Sequence, residues 1–207
     1  MPTTWLDTVL RQTRRASDMP YPHWAAVFLN NPIRHFFGRP GTVIDGLGLN
    51  PEDRVLEVGP GPGYFSVEIA RRVPEGRLAL FDLQPEMLDK ARSALARAGC
   101  HDVDFHSGDA SDEFPFPDGS FDVAFLAAVL GEVPDRAACV RSLARVLRPG
   151  GLLVIVEYFP DPDRLSVSAL RELAEPEGLE FERVDGTAWR DVVRFRRVPL
   201  RGDNLRC

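Results

Sequence analysis

At 207 residues the chain has the length for one well-buried domain and too little for a second of full size. Its 44% apolar and 27% charged content is that of an ordinary globular fold, and no run approaches the ~20 apolar residues a membrane span needs. A formal charge of −6 argues against a broad nucleic-acid-binding surface.

Cys100, Cys139 and Cys207 are odd in number, far apart and without a CxxC pair. That suits free thiols in a reducing compartment better than a disulfide frame or a zinc knuckle, and no metal site is expected. Asp7 and Arg11 interrupt the N-terminus before a signal-peptide core forms. A cytoplasmic location without stable membrane insertion is expected.

Residues 1–50 are helical in pattern but broken by Pro20, Pro22, Pro32 and Pro40. They hold Trp5, Tyr21, Trp24, Phe28, Phe36 and Phe37, six of the nineteen aromatics. The segment reads either as packing on the main domain or as a lid that shapes a substrate pocket. Residues 51–207 form the main domain.

From residue 54 the pattern alternates. Strands are predicted at 54–58, 77–81, 103–106, 121–126 and 151–157, with helices near 63–73, 85–98, 136–147 and 166–176. Two last strands, near 179–184 and 192–198, share a short connection through Gly186. Alternation implies right-handed crossovers, and the short last link suits a hairpin. The expected fold is α/β: a three-layer, Rossmann-like, seven-stranded, mainly parallel sheet with its last strand antiparallel, plus the N-terminal helical segment.

The stretch VLEVGPGPGYFS at 55–66 reads as buried strand, acid, glycine-rich turn and helix start. Gly59, Gly61 and Gly63 let the backbone turn sharply and approach a ligand. Such a unit holds a nucleoside or nucleotide at the carboxyl end of its strand. A dinucleotide fingerprint would place a third glycine where Tyr64 stands. Asp82 lies 19 residues beyond Gly63 (82 − 63), at the end of the second strand, and suits ribose hydroxyls. Glu57 precedes the loop and Asp109 follows the third strand. If all three carboxylates face one crevice, a pyrophosphate meets like charge and a cationic ligand is stabilised. S-adenosylmethionine, with its sulfonium and ammonium, is the nucleoside that fits.

The segments VLEVGPGPG at 55–63, FDLQPEML at 81–88, GDA at 108–110, FDVAFLAAVLGEVPD at 121–135 and LRPGG at 147–151 stand in an order and spacing that resembles the class I S-adenosylmethionine-dependent methyltransferases. The similarity is to the small-molecule type found around quinone and lipid methylation. The resemblance implies that Glu57 and the Gly59–Gly63 loop hold the methionine part and Asp82 the ribose. It implies that Leu83 presses on the adenine, Asp109 accepts its amine, and the Ala110 N–H reaches a ring nitrogen. Arg148 to Gly151 reads as structural.

Methyl transfer from a sulfonium is an in-line displacement in which alignment and exclusion of water supply much of the rate. A base is needed only for a protonated, weakly acidic acceptor. Glu132, Glu157 and Tyr158 near the strand ends are candidates, with His35 from the N-terminal segment; of these Glu132 and His35 are singled out, and no catalytic residue is assigned. Many members of the family carry His where Glu132 stands. His106 reads as packing and His101 as exposed. No Asn/Asp-Pro-Pro-Tyr-type motif follows the fourth strand, which disfavours nucleic-acid bases as acceptors. The expected partners are a small, apolar methyl acceptor and at most a second copy of the chain. Two alternatives stay open: a non-catalytic S-adenosylmethionine-binding regulatory subunit and a nicotinamide-dependent reductase.

Overall fold

A computed structural model describes residues 40–198. Its core is one seven-stranded sheet in the order β3-β2-β1-β4-β5-β7-β6. The strands are β1 (Arg54–Val58), β2 (Arg77–Asp82), β3 (Val103–Ser107), β4 (Phe121–Ala127), β5 (Leu147–Tyr158), β6 (Leu179–Thr187) and β7 (Arg190–Arg197). All neighbouring pairs from β3 to β5 are parallel, and β7 runs antiparallel to both β5 and β6. The expected sheet and its antiparallel last strand are borne out.

The helices are α1 (Pro40–Asp45), α2 (Ser66–Arg72), α3 (Pro85–Arg97), α4 (Arg136–Val146) and α5 (Val167–Ala174). Strands in the middle of a parallel sheet are covered on both faces, so β5 reads as an unbroken apolar run, Leu152 to Val156. Alternation sends Val154 and Val156 toward α1, α2 and α3, whose Ile44, Ile69 and Leu88 close one core. Leu153 and Ile155 face Val140, Leu143 and Leu170 of α4 and α5 in the other. The result is three layers. Local chemistry sets the helix starts: Pro85 at the first turn of α3, Asp135 accepting the Ala138 N–H at 2.9 Å, and Ser166 accepting the Ala169 N–H at 3.2 Å.

Three boundaries differ from the sequence expectation. Helix α2 begins at Ser66, because the glycine turn extends through Phe65. Strand β5 begins at Leu147, four residues early, since Leu147 pairs with Phe121 across a bulge before regular pairing resumes at Leu152. Gly186 lies inside β6, and the hairpin turn falls on Ala188 and Trp189. Of the segment expected at 1–50 as packing or lid, residues 1–39, with His35, lie outside the described residues. Within residues 40–50, Val43, Ile44 and Leu47 are buried in the sheet core, and the Arg194 guanidinium donates to the Gly46 carbonyl at 2.7 Å.

Candidate functional site

Strand order reverses direction between β1 and β4. From β1 the chain crosses to α2 on one face, and from β4 to α4 on the other, which opens a crevice at the carboxyl ends of these strands. The glycine turn forms its floor and is held on three sides. The Gly59 N–H donates to the Phe81 carbonyl of β2 at 2.8 Å. A Cβ on Gly59, whose φ is +67°, would stand 2.3 Å from Cγ2 of Val129 in the turn after β4. A Cβ on Gly63 would stand 3.0 Å from the Ala91 Cα of α3. Gly61, at φ +52°, has nothing within 4 Å of the place its Cβ would take. The loop is clamped at Gly59 and Gly63 and opens onto free space at Gly61.

Asp82 closes one side. Its Oδ2 accepts the Gly61 N–H at 3.3 Å and its Oδ1 accepts the Gln84 N–H at 2.9 Å. The residue is buried, and this desolvation raises its pKa above the ordinary aspartate value against the opposing pull of the two N–H donors. Beside it Leu83 is 58% exposed, an apolar side chain left in the open at a strand end. The Gly108 N–H donates to the Asp82 carbonyl at 3.1 Å, which ties the loop after β3 to the end of β2. Gly108 is required there, because a Cβ would meet the Phe81 ring at 2.7 Å. Asp109 follows, with its Oδ1 accepting the Ser111 N–H at 2.8 Å, and Ala110 is partly buried against the core.

Glu57 is buried in β1, in register with Leu80 of β2 and Phe125 of β4. Gly59, Gly61, Gly63, Asp82, Leu83, Asp109 and Ala110 thus come together at the ends of β1, β2 and β3, with Glu57 one residue from the end of β1.

The loops after β4 and β5 stand on the other side of the crevice. Glu132 ends the 3₁₀ turn Leu130–Glu132 and is exposed. Tyr158 is half-buried and packs toward α1 and α2. Glu157 is buried on the opposite face, where Asp161, Arg164 and Asp191 act on its carboxyl. His106 lies in β3 with its ring edge-on to Phe116 at 4.7 Å, and His101 is exposed, both as expected.

Three features carried no sequence signal. Val129 fills the space over Gly59, Ala128 holds a left-handed φ of +54°, and a Cβ on Gly131 would stand 2.0 Å from the Asp163 carbonyl. Each depends on how two loops meet, and an Ala-Val-Leu-Gly run is compatible with many conformations. Among the described residues no cluster of His, Cys, Asp or Glu is arranged to hold a metal, and no helix is long and apolar enough to cross a membrane.

Residues 55–151 match the family described as Methyltransferase domain. The ubiquinone/menaquinone biosynthesis C-methyltransferase UbiE of Pseudomonas putida is 35% identical over 124 residues, 59% of this chain and 48% of that protein. The UbiE protein of Vibrio vulnificus is 35% identical over 116 residues, 56% of this chain and 45% of that protein. The chain therefore spans about half the length of the curated relatives it matches. Among solved structures, a SAM-dependent methyltransferase from Aquifex aeolicus superposes with a TM-score of 0.79 at 23% identity, over 86% of this chain and 100% of that one. Residues 55–151 thus resemble the Methyltransferase domain family, and the chain shares the fold of the SAM-dependent methyltransferase from Aquifex aeolicus.

Proposed function

We propose that the chain transfers a methyl group from S-adenosylmethionine to a small, apolar acceptor. The observation that carries this reading is the open cradle between Gly61 and Asp82. The residues present fit the cofactor. A carboxylate offers about four acceptor sites, and Asp82 uses two of them on N–H groups, leaving two for a vicinal diol. Leu83 offers an apolar face for a purine, and the Asp109 oxygen not used in its turn is an acceptor for an exocyclic amine. Glu57, Asp82 and Asp109 place negative charge where a cationic nucleoside is stabilised.

When bound, S-adenosylmethionine supplies an activated methyl group on a sulfonium. The chain's own part is to align and to exclude water. The glycine turn and Val129 fix the floor, and the turn after β4 and the loop after β5 form the acceptor side. No described carboxylate or imidazole is assigned as a base, and an acceptor that is ionised or carbon-nucleophilic needs none. The names of the similar proteins point to an apolar quinone-type acceptor. The aromatic-rich part of the N-terminal segment, residues 5–37, is proposed to cover it as a lid.

The test is incubation with methyl-labelled S-adenosylmethionine and an apolar extract, alongside a prenylated 1,4-naphthoquinol as a defined acceptor. Label transferred to an apolar small molecule supports the reading. Label found only in nucleic acid or protein overturns the acceptor class.

A further inference from the structure

Glu157 is the second-last residue of β5 and is 1% exposed. One carboxyl oxygen accepts the Leu165 N–H, and Oε1 has no hydrogen-bond partner. Leu165 ends the loop that joins β5 to α5, so this bond fastens the loop at its far end. The same loop carries Asp163, whose carbonyl leaves no room for a side chain at Gly131 of the turn after β4. That turn carries Val129, which fills the space over Gly59. Glu157, the β5 loop, the β4 turn and the glycine turn therefore stand in unbroken contact.

The charged groups acting on Glu157 come from two elements. The loop contributes Asp161 and Arg164, and β7 contributes Asp191, which is paired with Glu157 in register. Arg164 is ion-paired to Asp191; its charge favours the ionised Glu157 carboxyl, but by less than burial and Asp161 oppose it. Arg190 pairs with Tyr158 and alternates to the opposite face, and Glu132 on the β4 turn is exposed. Leu130, Leu165 and Leu170 from the turn, the loop and α5 are buried and apolar on this side. A negative charge on Glu157 would be desolvated and would face two further acids, against one cation that Asp191 shares.

We propose that Glu157 is a positioning residue that must be neutral to hold the β5 loop against the β4 turn, so that closure of the acceptor side takes up a proton. As a device of the acceptor side it rests on the methyl-transfer reading; as a property of the loop it does not. Burial, reinforced by Asp161, pushes the carboxyl up to about 8 in the closed structure, against 4.5 for a solvated glutamate. The sign follows from linkage. Below the lower value both closed and open loops hold the proton and closure is strongest. Between the two values only the closed loop holds it, so opening becomes easier by up to about tenfold per pH unit. Above the higher value neither holds it, and the dependence levels off.

The test is amide hydrogen exchange of the segment 159–170 from about pH 5 to about pH 9.5, corrected for intrinsic chemical exchange, in the wild-type protein, E157Q and D161N. Wild-type protection should fall severalfold per pH unit and level off near 8. E157Q, permanently neutral, should hold its protection constant, and D161N should level off at lower pH. A wild-type protection independent of pH, or the same dependence in E157Q, overturns the proposal. None of these readouts requires cofactor or acceptor, so the proposal and the methyl-transfer reading fail separately.

Discussion

The backbone N–H of Gly61 donates to Oδ2 of Asp82 across 3.3 Å, and the same carboxylate accepts the Gln84 N–H through Oδ1. This contact lets the glycine turn and the end of β2 share one negative charge that burial makes costly to keep. Asp82 has a raised pKa, so its ionised form weakens the folded state as pH rises from the unfolded-state value through the raised one. D82N removes that pH dependence and is expected to hold its stability as pH rises, at the cost of one of the two N–H bonds because an amide has a single acceptor oxygen, while weakening S-adenosylmethionine binding. Urea denaturation and calorimetry on the same two proteins check both halves.

The second prediction concerns Gly59. An alanine there takes on a left-handed backbone and a clash with Val129. The two costs together are about 2–4 kcal/mol. Val129→Ala removes the clashing methyls and leaves the backbone strain, so the double variant should regain part of the loss and not all of it. Denaturation midpoints of the four proteins measure this coupling. Strict additivity of the single changes would contradict the contact.

How much of this was legible beforehand divides along physical lines. The sheet, the helices and the placement of Asp82 and Asp109 at strand ends follow from periodicity and turn chemistry, which are local. The place of Glu57 in β1 was legible too, because it stands in an apolar strand two residues before a glycine turn. Val129 over Gly59, Gly131 against Asp163 and the burial of Glu157 were not, since each is a contact between segments far apart in sequence. Glu157 and Tyr158 are neighbouring base candidates in the sequence, yet register and side-chain alternation put the two on opposite faces of β5. The early start of β5 was hidden as well, because Arg148-Pro149-Gly150 reads as a turn and is accommodated in the strand by a bulge.

A third prediction concerns Ala128, whose φ of +54° is uncommon for any residue with a Cβ and whose N–H donates to the Val156 carbonyl at 2.9 Å. Relief of this strain by glycine is worth about 1–2 kcal/mol, offset by about 0.5–1 kcal/mol of added unfolded-state freedom. A128G should be equal to or slightly more stable than the wild type. A128V, with a branched Cβ in the same conformation, should be less stable by at least about 1–2 kcal/mol. The order Gly, Ala, Val in chemical denaturation would confirm the backbone as the cause; the reverse order would refute it.

The central claim is that the crevice between the glycine turn, Asp82 and Asp109 takes a cationic nucleoside. Calorimetric titration of the whole chain with S-adenosylmethionine and with NADH, repeated on D82A, tests it most directly. The account predicts saturable S-adenosylmethionine binding and no NADH binding. It also predicts that D82A binds S-adenosylmethionine about 100- to 10,000-fold more weakly, the effect of losing two charge-assisted hydrogen bonds. Tight binding of NADH without S-adenosylmethionine, or an unchanged affinity in D82A, would contradict it.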